Sequence, residues 1–195
     1  NLDASYQGQD VKTVKLKTVK KNQPTTVEIT KSDVTTGVEL DGAKLTVLDK
    51  EGNVVDQWIS VKEQPHVIKR LTVGEEYTLR EEMAPYGYLK ATDVTFTVKD
   101  TAEVQKVEMK DDVTKVQISK TDITGETEIP GAKLTVLDKD DQVVESWTST
   151  EEAHYIEKLP IGKYTLREEQ APKGYLLTSD VTFEVKDTGE IQKVA

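Results

Sequence analysis

The chain has 195 residues, of which 35% are hydrophobic and 32% are charged, and none is cysteine, which excludes a disulfide framework, a zinc–thiolate site and a cysteine nucleophile. The formal net charge of −10 argues against a nucleic-acid partner, because binding to a phosphate backbone needs a basic face. No apolar run long enough to span a membrane and no secretion or lipidation signal is recognised, so no membrane partner is expected.

Residues 1–24 differ in charge from the rest of the chain. They hold five lysines against two aspartates, a charge of +3, which leaves −13 for the remainder. Val11–Val19 alternates and is predicted to be the terminal strand of a preceding repeat, followed by a linker over Lys20–Pro24. This basic run is either a solvated strand and linker or a patch for a membrane surface or polyanion. The chain is therefore expected to be an internal piece of a longer protein.

Two similar repeats follow, over residues 25–112 and 113–195. The stretch Tyr77–Tyr88 returns almost unchanged as Tyr164–Tyr175, and the differences in length between the repeats fall in expected loops. The join at Asp112–Lys115 is too short to be a free linker. We therefore expect two tandem domains arranged end to end with limited hinge motion.

Each repeat consists of short alternating segments separated by turn residues, with no helical periodicity. In the first repeat the predicted strands are Val27–Lys31, Lys44–Asp49, Val54–Ser60, Val67–Leu71, Tyr77–Met83, Val94–Val98 and Val104–Lys110. Lys50–Asn53 is typical of a hairpin turn, and the acidic stretch around it lacks the ligand spacing of a calcium loop, so no metal or cofactor is expected. The pattern predicts an all-β fold of two Ig-like antiparallel β-sandwiches.

Three charged residues share the inward face of their strands. The same alternation that buries the large apolar residues of each strand carries Lys31, Glu81 and Asp111 toward one core, and Lys120 and Glu168 repeat the first two. These charges either form a buried ion-pair network where strands end, or they react. Burial favours the neutral forms of an amine and a carboxyl, so Lys31 could condense with Asp111 to an amide, with Glu81 moving the protons.

Three stretches of each repeat resemble a known protein family. They are Ile29–Asp33, Asp41–Leu45 and Tyr77–Tyr88 in the first repeat, and Ile118–Asp122, Pro130–Leu134 and Glu168–Tyr175 in the second. These stretches resemble the collagen-adhesin B-type (Cna B-type, prealbumin-like) domains of Gram-positive surface adhesins and pilins. The Glu-x-x-Ala-Pro-x-Gly-Tyr element is similar to the pilin E-box, and the resemblance covers residues 25–195.

The resemblance implies a spontaneous isopeptide bond between Lys31 and Asp111, assisted by the E-box residue Glu81. Aspartate instead of the commoner asparagine makes water the leaving molecule. In the second repeat Lys120 and Glu168 match, but the sequence stops before the residue that would match Asp111. We therefore expect a truncated last strand there, with the acceptor for Lys120 absent from the chain.

Two functions follow as hypotheses. The first is a structural role as stalk modules of a cell-wall-anchored adhesin or pilus subunit, extracellular and monomeric, whose partners are neighbouring domains of the same protein and, through another domain, host matrix or glycan. The second is direct binding of a host matrix protein or glycan by these domains. An enzyme acting on an external substrate is disfavoured, because both glutamates are expected on core faces. His66 and His154 are predicted to be surface or loop residues.

Overall fold

The structure, a computed structural model, describes residues 22–195. The strand expected at Val11–Val19 lies outside the described residues. Residues 22–195 form fourteen β-strands and no helix, so this part of the chain has no helix long and apolar enough to cross a membrane. The all-β prediction is confirmed.

Each repeat contains seven strands. The first has β1 (Thr26–Asp33), β2 (Lys44–Leu48), β3 (Val54–Ile59), β4 (His66–Lys69), β5 (Glu76–Met83), β6 (Val94–Thr97) and β7 (Val104–Asp111). The second has β8 (Lys115–Ile118), β9 (Lys133–Leu137), β10 (Val143–Thr148), β11 (His154–Glu157), β12 (Gly162–Gln170), β13 (Val181–Val185) and β14 (Ile191–Val194).

Both repeats are sandwiches of a three-stranded and a four-stranded sheet. In the first, the sheet β4-β1-β7 packs on the sheet β3-β2-β5-β6, and the second repeats this order as β11-β8-β14 and β10-β9-β12-β13. Their inward side chains form one hydrophobic core per repeat. Val27, Val47 and Leu79 in the first core are fully buried, and each contributes roughly 1.5–3 kcal/mol by leaving water.

One strand pair in each repeat differs from the antiparallel arrangement that the sequence predicted. The strand β1 pairs with β7 in parallel, with Lys31 opposite Met109 and Asp33 opposite Asp111. The strand β14 pairs with β8 in the same way. Five strands separate β1 from β7, and between them the chain crosses to the four-stranded sheet and back twice, returning once at β4 and again at β7. The last strand can therefore lie beside the first in the same direction.

The strand bounds lie close to those predicted. The largest differences are at β1, which was expected to end at Lys31 but continues to Asp33, and at β4, which was expected over Val67–Leu71 but ends at Lys69. Arg70 adopts φ 71°, a left-handed conformation that cannot continue a strand. The predicted hairpin turn is present, because Asp49 accepts backbone N–H groups of Glu51 and Asn53 through Oδ1.

The two repeats contact each other directly through the turn that follows β5. Tyr88 forms a β-bridge with Val113, the first residue of the second repeat, and the N–H of Leu89 donates at 2.8 Å to the carbonyl of Asp112, the last residue of the first repeat. From the second repeat, Lys158 places its Nζ 5.2 Å from the centre of the Tyr88 ring, within range of a cation–π interaction. The E-box turn therefore takes part in the junction between the domains.

Candidate functional site

Lys31, Glu81 and Asp111 meet inside the first sandwich. The Nζ atom of Lys31 lies 3.1 Å from Oε2 of Glu81 and also contacts Oδ1 of Asp111. None of the three side chains is exposed to solvent. An amine and two carboxyls are thus held together in an environment that excludes water.

The strand geometry explains why these residues meet. Lys31 and Asp111 come from the adjacent parallel strands β1 and β7, whose register sets them two residues apart along the sheet. Glu81 comes from β5 in the facing sheet, where it continues the inward row begun by Tyr77 and Leu79. The inward orientation predicted for all three residues is what the structure has; their chemical roles stay a prediction.

The environment changes the acidity of Asp111. The pKa of its carboxyl is raised from 3.8 to about 7, mainly by burial and further by the neighbouring Glu81 carboxyl, whereas Lys31 opposes the rise. Among the described residues, no aligned hydrogen bond reaches Oε2 of Glu81 or Oδ2 of Asp111. With a pKa near 7, Asp111 is protonated in a substantial fraction of molecules at neutral pH, beside the amine of Lys31.

The second repeat has the lysine and the glutamate in the same relation. Lys120 Nζ lies 3.0 Å from Oε2 of Glu168, but 17% of its side chain is exposed. Lys120 lies two residues beyond β8, which ends at Ile118, whereas the equivalent strand β1 extends past Lys31. Among residues 22–195, Glu168 is the one acidic side chain that pairs with the Lys120 amine. A cavity of about 220 Å³ opens beside the pair and reaches Ala195.

Two residues near the first site were not singled out from the sequence. The hydroxyl of Tyr88 donates to Oδ2 of Asp33 at 2.8 Å. The backbone N–H of Thr36 is the main cause of the lowered pKa of Asp33, and Tyr88 lowers it further. Burial, followed by the bond to Asp33, raises the pKa of Tyr88. The tyrosine of the repeated motif was the available signal, but its contact with Asp33 depends on the tertiary structure.

The histidines, predicted to be surface or loop residues, are partly exposed but begin strands and do not lie in loops. His66 begins β4 and stacks on Trp58 with ring centres 3.9 Å apart, and its Nε2 lies 2.7 Å from Asp56. His154 stacks on Trp147 in the second repeat, at 4.1 Å. A large aromatic surface makes this packing favourable at the edge of the sandwich. Residues 22–195 contain no cluster of His, Asp and Glu that could hold a metal ion.

The raised pKa of Asp111 predicts a pH dependence in a chain that cannot crosslink. A carboxyl that binds its proton more tightly when folded stabilises the fold fully below its unfolded pKa, and this stabilisation is lost as pH rises through the folded pKa. For Glu81→Gln, in which burial still acts on Asp111, we expect the free energy of unfolding of the first domain to fall between about pH 4 and 7. Urea unfolding at each pH measures this.

The matched control is Glu81→Gln combined with Asp111→Asn, which removes the titrating group. The difference between the two chains isolates Asp111 from every other carboxyl. Equal stability differences at pH 4.5 and pH 7.5 would contradict the raised pKa.

Comparison with known proteins identifies similar domains. The family described as SpaA, prealbumin-like fold domain, matches the chain twice, over residues 25–113 and 114–195. The solved structure of the Bacillus anthracis TIE protein is 31% identical, with a TM-score of 0.53, and the alignment covers 88% of this chain and 34% of that one. The chain thus spans about a third of the length of this relative.

Two pilins are more distant in sequence. A streptococcal ancillary pilin is 20% identical with a TM-score of 0.44, covering 89% of this chain and 62% of that one. The shaft pilin SpaA from Lactobacillus rhamnosus GG is 12% identical with a TM-score of 0.42, covering 88% and 96%. No curated protein matches the chain.

Proposed function

The chain belongs to the SpaA family of prealbumin-like fold domains, and on that premise we propose that its two domains are structural stalk modules of a Gram-positive cell-wall-anchored adhesin or pilus subunit. The observation that carries this proposal is the fully buried cluster of Lys31, Glu81 and Asp111. Chemistry in a closed core acts on the chain itself, so we propose an autocatalytic crosslink rather than an enzyme. The proposed partners are neighbouring domains of the same surface protein, with host matrix or glycan contacted through another domain.

The proposed reaction joins Lys31 to Asp111. The neutral amine attacks Cγ of the protonated Asp111 carboxyl, which Glu81 polarises, and the Nζ–Cγ bond forms. A proton from the nitrogen passes through Glu81 to the hydroxyl of Asp111, the C–O bond breaks, and the hydroxyl leaves as water. Glu81 ends as it began, and the neutral amide removes an amine and a carboxyl whose charged forms would be costly to bury.

Intact-mass spectrometry of the wild-type chain tests this proposal. We expect a mass lower by one water than the sequence requires, with the loss mapped to a peptide that joins Lys31 and Asp111 after digestion. An unmodified mass would contradict the crosslink.

In the second domain we propose that Lys120 is a poised amine that takes its acceptor from a strand equivalent to β7. Because β14 already pairs with β8 in parallel, a peptide patterned on Val104–Asp112 is expected to displace β14 and to take its place beside β8. Its aspartate then condenses with Lys120. A denaturing gel and the intact mass detect the covalent adduct.

The matched controls are Lys120→Ala and a peptide in which the acceptor aspartate is alanine, neither of which should form an adduct. If the wild-type chain gives no adduct while its second domain remains folded, Lys120 is not poised as proposed.

A further inference from the structure

Each E-box glutamate is held by one backbone N–H that lies ten residues later in the chain. The N–H of Ala91 donates to Oε1 of Glu81 at 2.8 Å. The N–H of Thr178 donates to Oε1 of Glu168 at 3.0 Å. Both glutamates are buried. The same hydrogen bond is thus present in two separate copies of the site. A backbone donor depends on the path of the chain, which explains why dissimilar residues, Ala and Thr, stand at the two positions.

The path of the chain accounts for the donor. The strand β6 runs antiparallel to β5 and pairs with it from Glu76 as far as Leu79, which lies opposite Val94. Before Val94 the chain has left this ladder, and no backbone carbonyl of β5 is paired with Ala91. The side chain of Glu81 extends into this place and supplies the acceptor. The N–H is thereby satisfied, and the carboxyl is fixed.

The bond distinguishes the two oxygens of each carboxyl. Oε1 is occupied by the backbone N–H, whereas Oε2 lies 3.1 Å from Lys31 Nζ in the first domain. In the second domain Oε2 of Glu168 lies 3.0 Å from Lys120 Nζ. In both domains Oε2 has no aligned hydrogen bond among the described residues. The oxygen that faces the amine is thus the one free to accept and release a proton.

We propose that the backbone amide of Ala91 is a positioning group for the crosslinking reaction, and that the amide of Thr178 is its counterpart in the second domain. This inference rests on the proposed function. The amide holds Oε1, stops the carboxyl from turning, and directs proton transfer through Oε2, which takes the proton from Lys31 and passes it to the leaving hydroxyl of Asp111. Ala91 touches neither reacting atom, so it acts through Glu81.

The sharpest test replaces Ala91 by lactic acid through nonsense suppression in a cell-free system. The resulting ester lacks the N–H but keeps the methyl side chain and the course of the chain. We expect the rate of water loss, followed by intact mass after synthesis, to fall by roughly tenfold or more, because a misplaced catalytic group loses much of its effect. The matched control is lactic acid at Ala102, which is exposed and whose N–H donates no hydrogen bond within residues 22–195.

The conservative variant Ala91→Ser retains the N–H and should crosslink at the wild-type rate. A folded ester chain that loses water as fast as wild type would overturn the positioning role. If the ester chain does not fold, Ala91→Ser against Ala91→Pro, each checked by its amide spectrum, gives the same comparison.

A second measurement separates this inference from the proposed function. Nuclear magnetic resonance can detect a scalar coupling across a hydrogen bond, here between the amide nitrogen of Thr178 and the carboxyl carbon of Glu168. We expect this coupling in the wild-type chain, and the same between Ala91 and Glu81. A wild-type chain that keeps its full mass but shows both couplings would refute the crosslink, and would still support the hydrogen bonds that hold the two glutamates. Absence of both couplings would overturn the positioning role of the two backbone amides even in a crosslinked chain.

Discussion

The Glu81→Ala chain is expected to keep the full mass of its sequence, whereas the wild-type chain should be lighter by one water. The reason is that Lys31 and Asp111 remain in contact but lose the carboxyl that moves the protons between them. Glu168→Ala is the matched control, since it removes the equivalent carboxyl from the second domain. It should still lose one water. Water loss in Glu81→Ala at the wild-type rate would contradict the proton-transfer role assigned to Glu81.

The same crosslink should make the first domain the more heat-resistant of the two. It closes a loop between residues 80 apart in sequence, and by analogy with disulfides this constraint stabilises by about 4 kcal/mol. For a domain of this size the gain corresponds to a rise in melting temperature of roughly 20 °C. Lys31→Ala should therefore lower the upper calorimetric transition and leave the lower one in place. A single transition unchanged by Lys31→Ala would count against the crosslink.

Gly87→Ala is expected to disrupt the junction between the domains, while Gly174→Ala is not. Both glycines occupy the same place in the E-box turn, with φ of 79° and 87°, so alanine costs about 1–2 kcal/mol at either. A Cβ at Gly87 would also lie 2.8 Å from both the Cβ and the carbonyl oxygen of Lys158, whereas a Cβ at Gly174 meets nothing within 4 Å. The clash at Gly87 can be relieved only if Lys158 moves away.

Small-angle scattering and residual dipolar couplings measure this difference. Gly87→Ala should broaden the distribution of angles between the domains, with the amide signals around Tyr88 and Lys158 shifted. Gly174→Ala should match wild type in both measurements and lose stability in the second domain only. Equal interdomain order in the two variants would show that Gly87 does not govern the junction.

Much of this arrangement could be predicted from the sequence. The inward positions of Lys31, Glu81 and Asp111 follow from a period of two, which any strand imposes on its side chains. The E-box motif indicated the family, and the family match confirms the resemblance to Cna B-type domains. Both signals are local in sequence.

Other features could not be predicted, because they depend on how distant segments meet. The direction of β7 beside β1 depends on the path of five intervening strands, and the alternation of a single strand is the same in either direction. The bond from Ala91 to Glu81 involves a backbone N–H, which carries no residue signature. The stacking of His66 on Trp58 joins two edge strands from opposite sheets, which a repeat pattern alone does not bring together.

The parallel pairing of β1 and β7 has a mechanical consequence once Lys31 and Asp111 are joined. A pull on the two ends of the domain would enter at Thr26, pass along β1 to Lys31, cross the amide to Asp111 and leave toward the second domain. The chain between these two residues would bear no tension. Stretched out, a chain segment that joins residues 80 apart would span about 270 Å, and the bond would prevent all of that extension. A module built this way would transmit a pulling force without unfolding and lengthening.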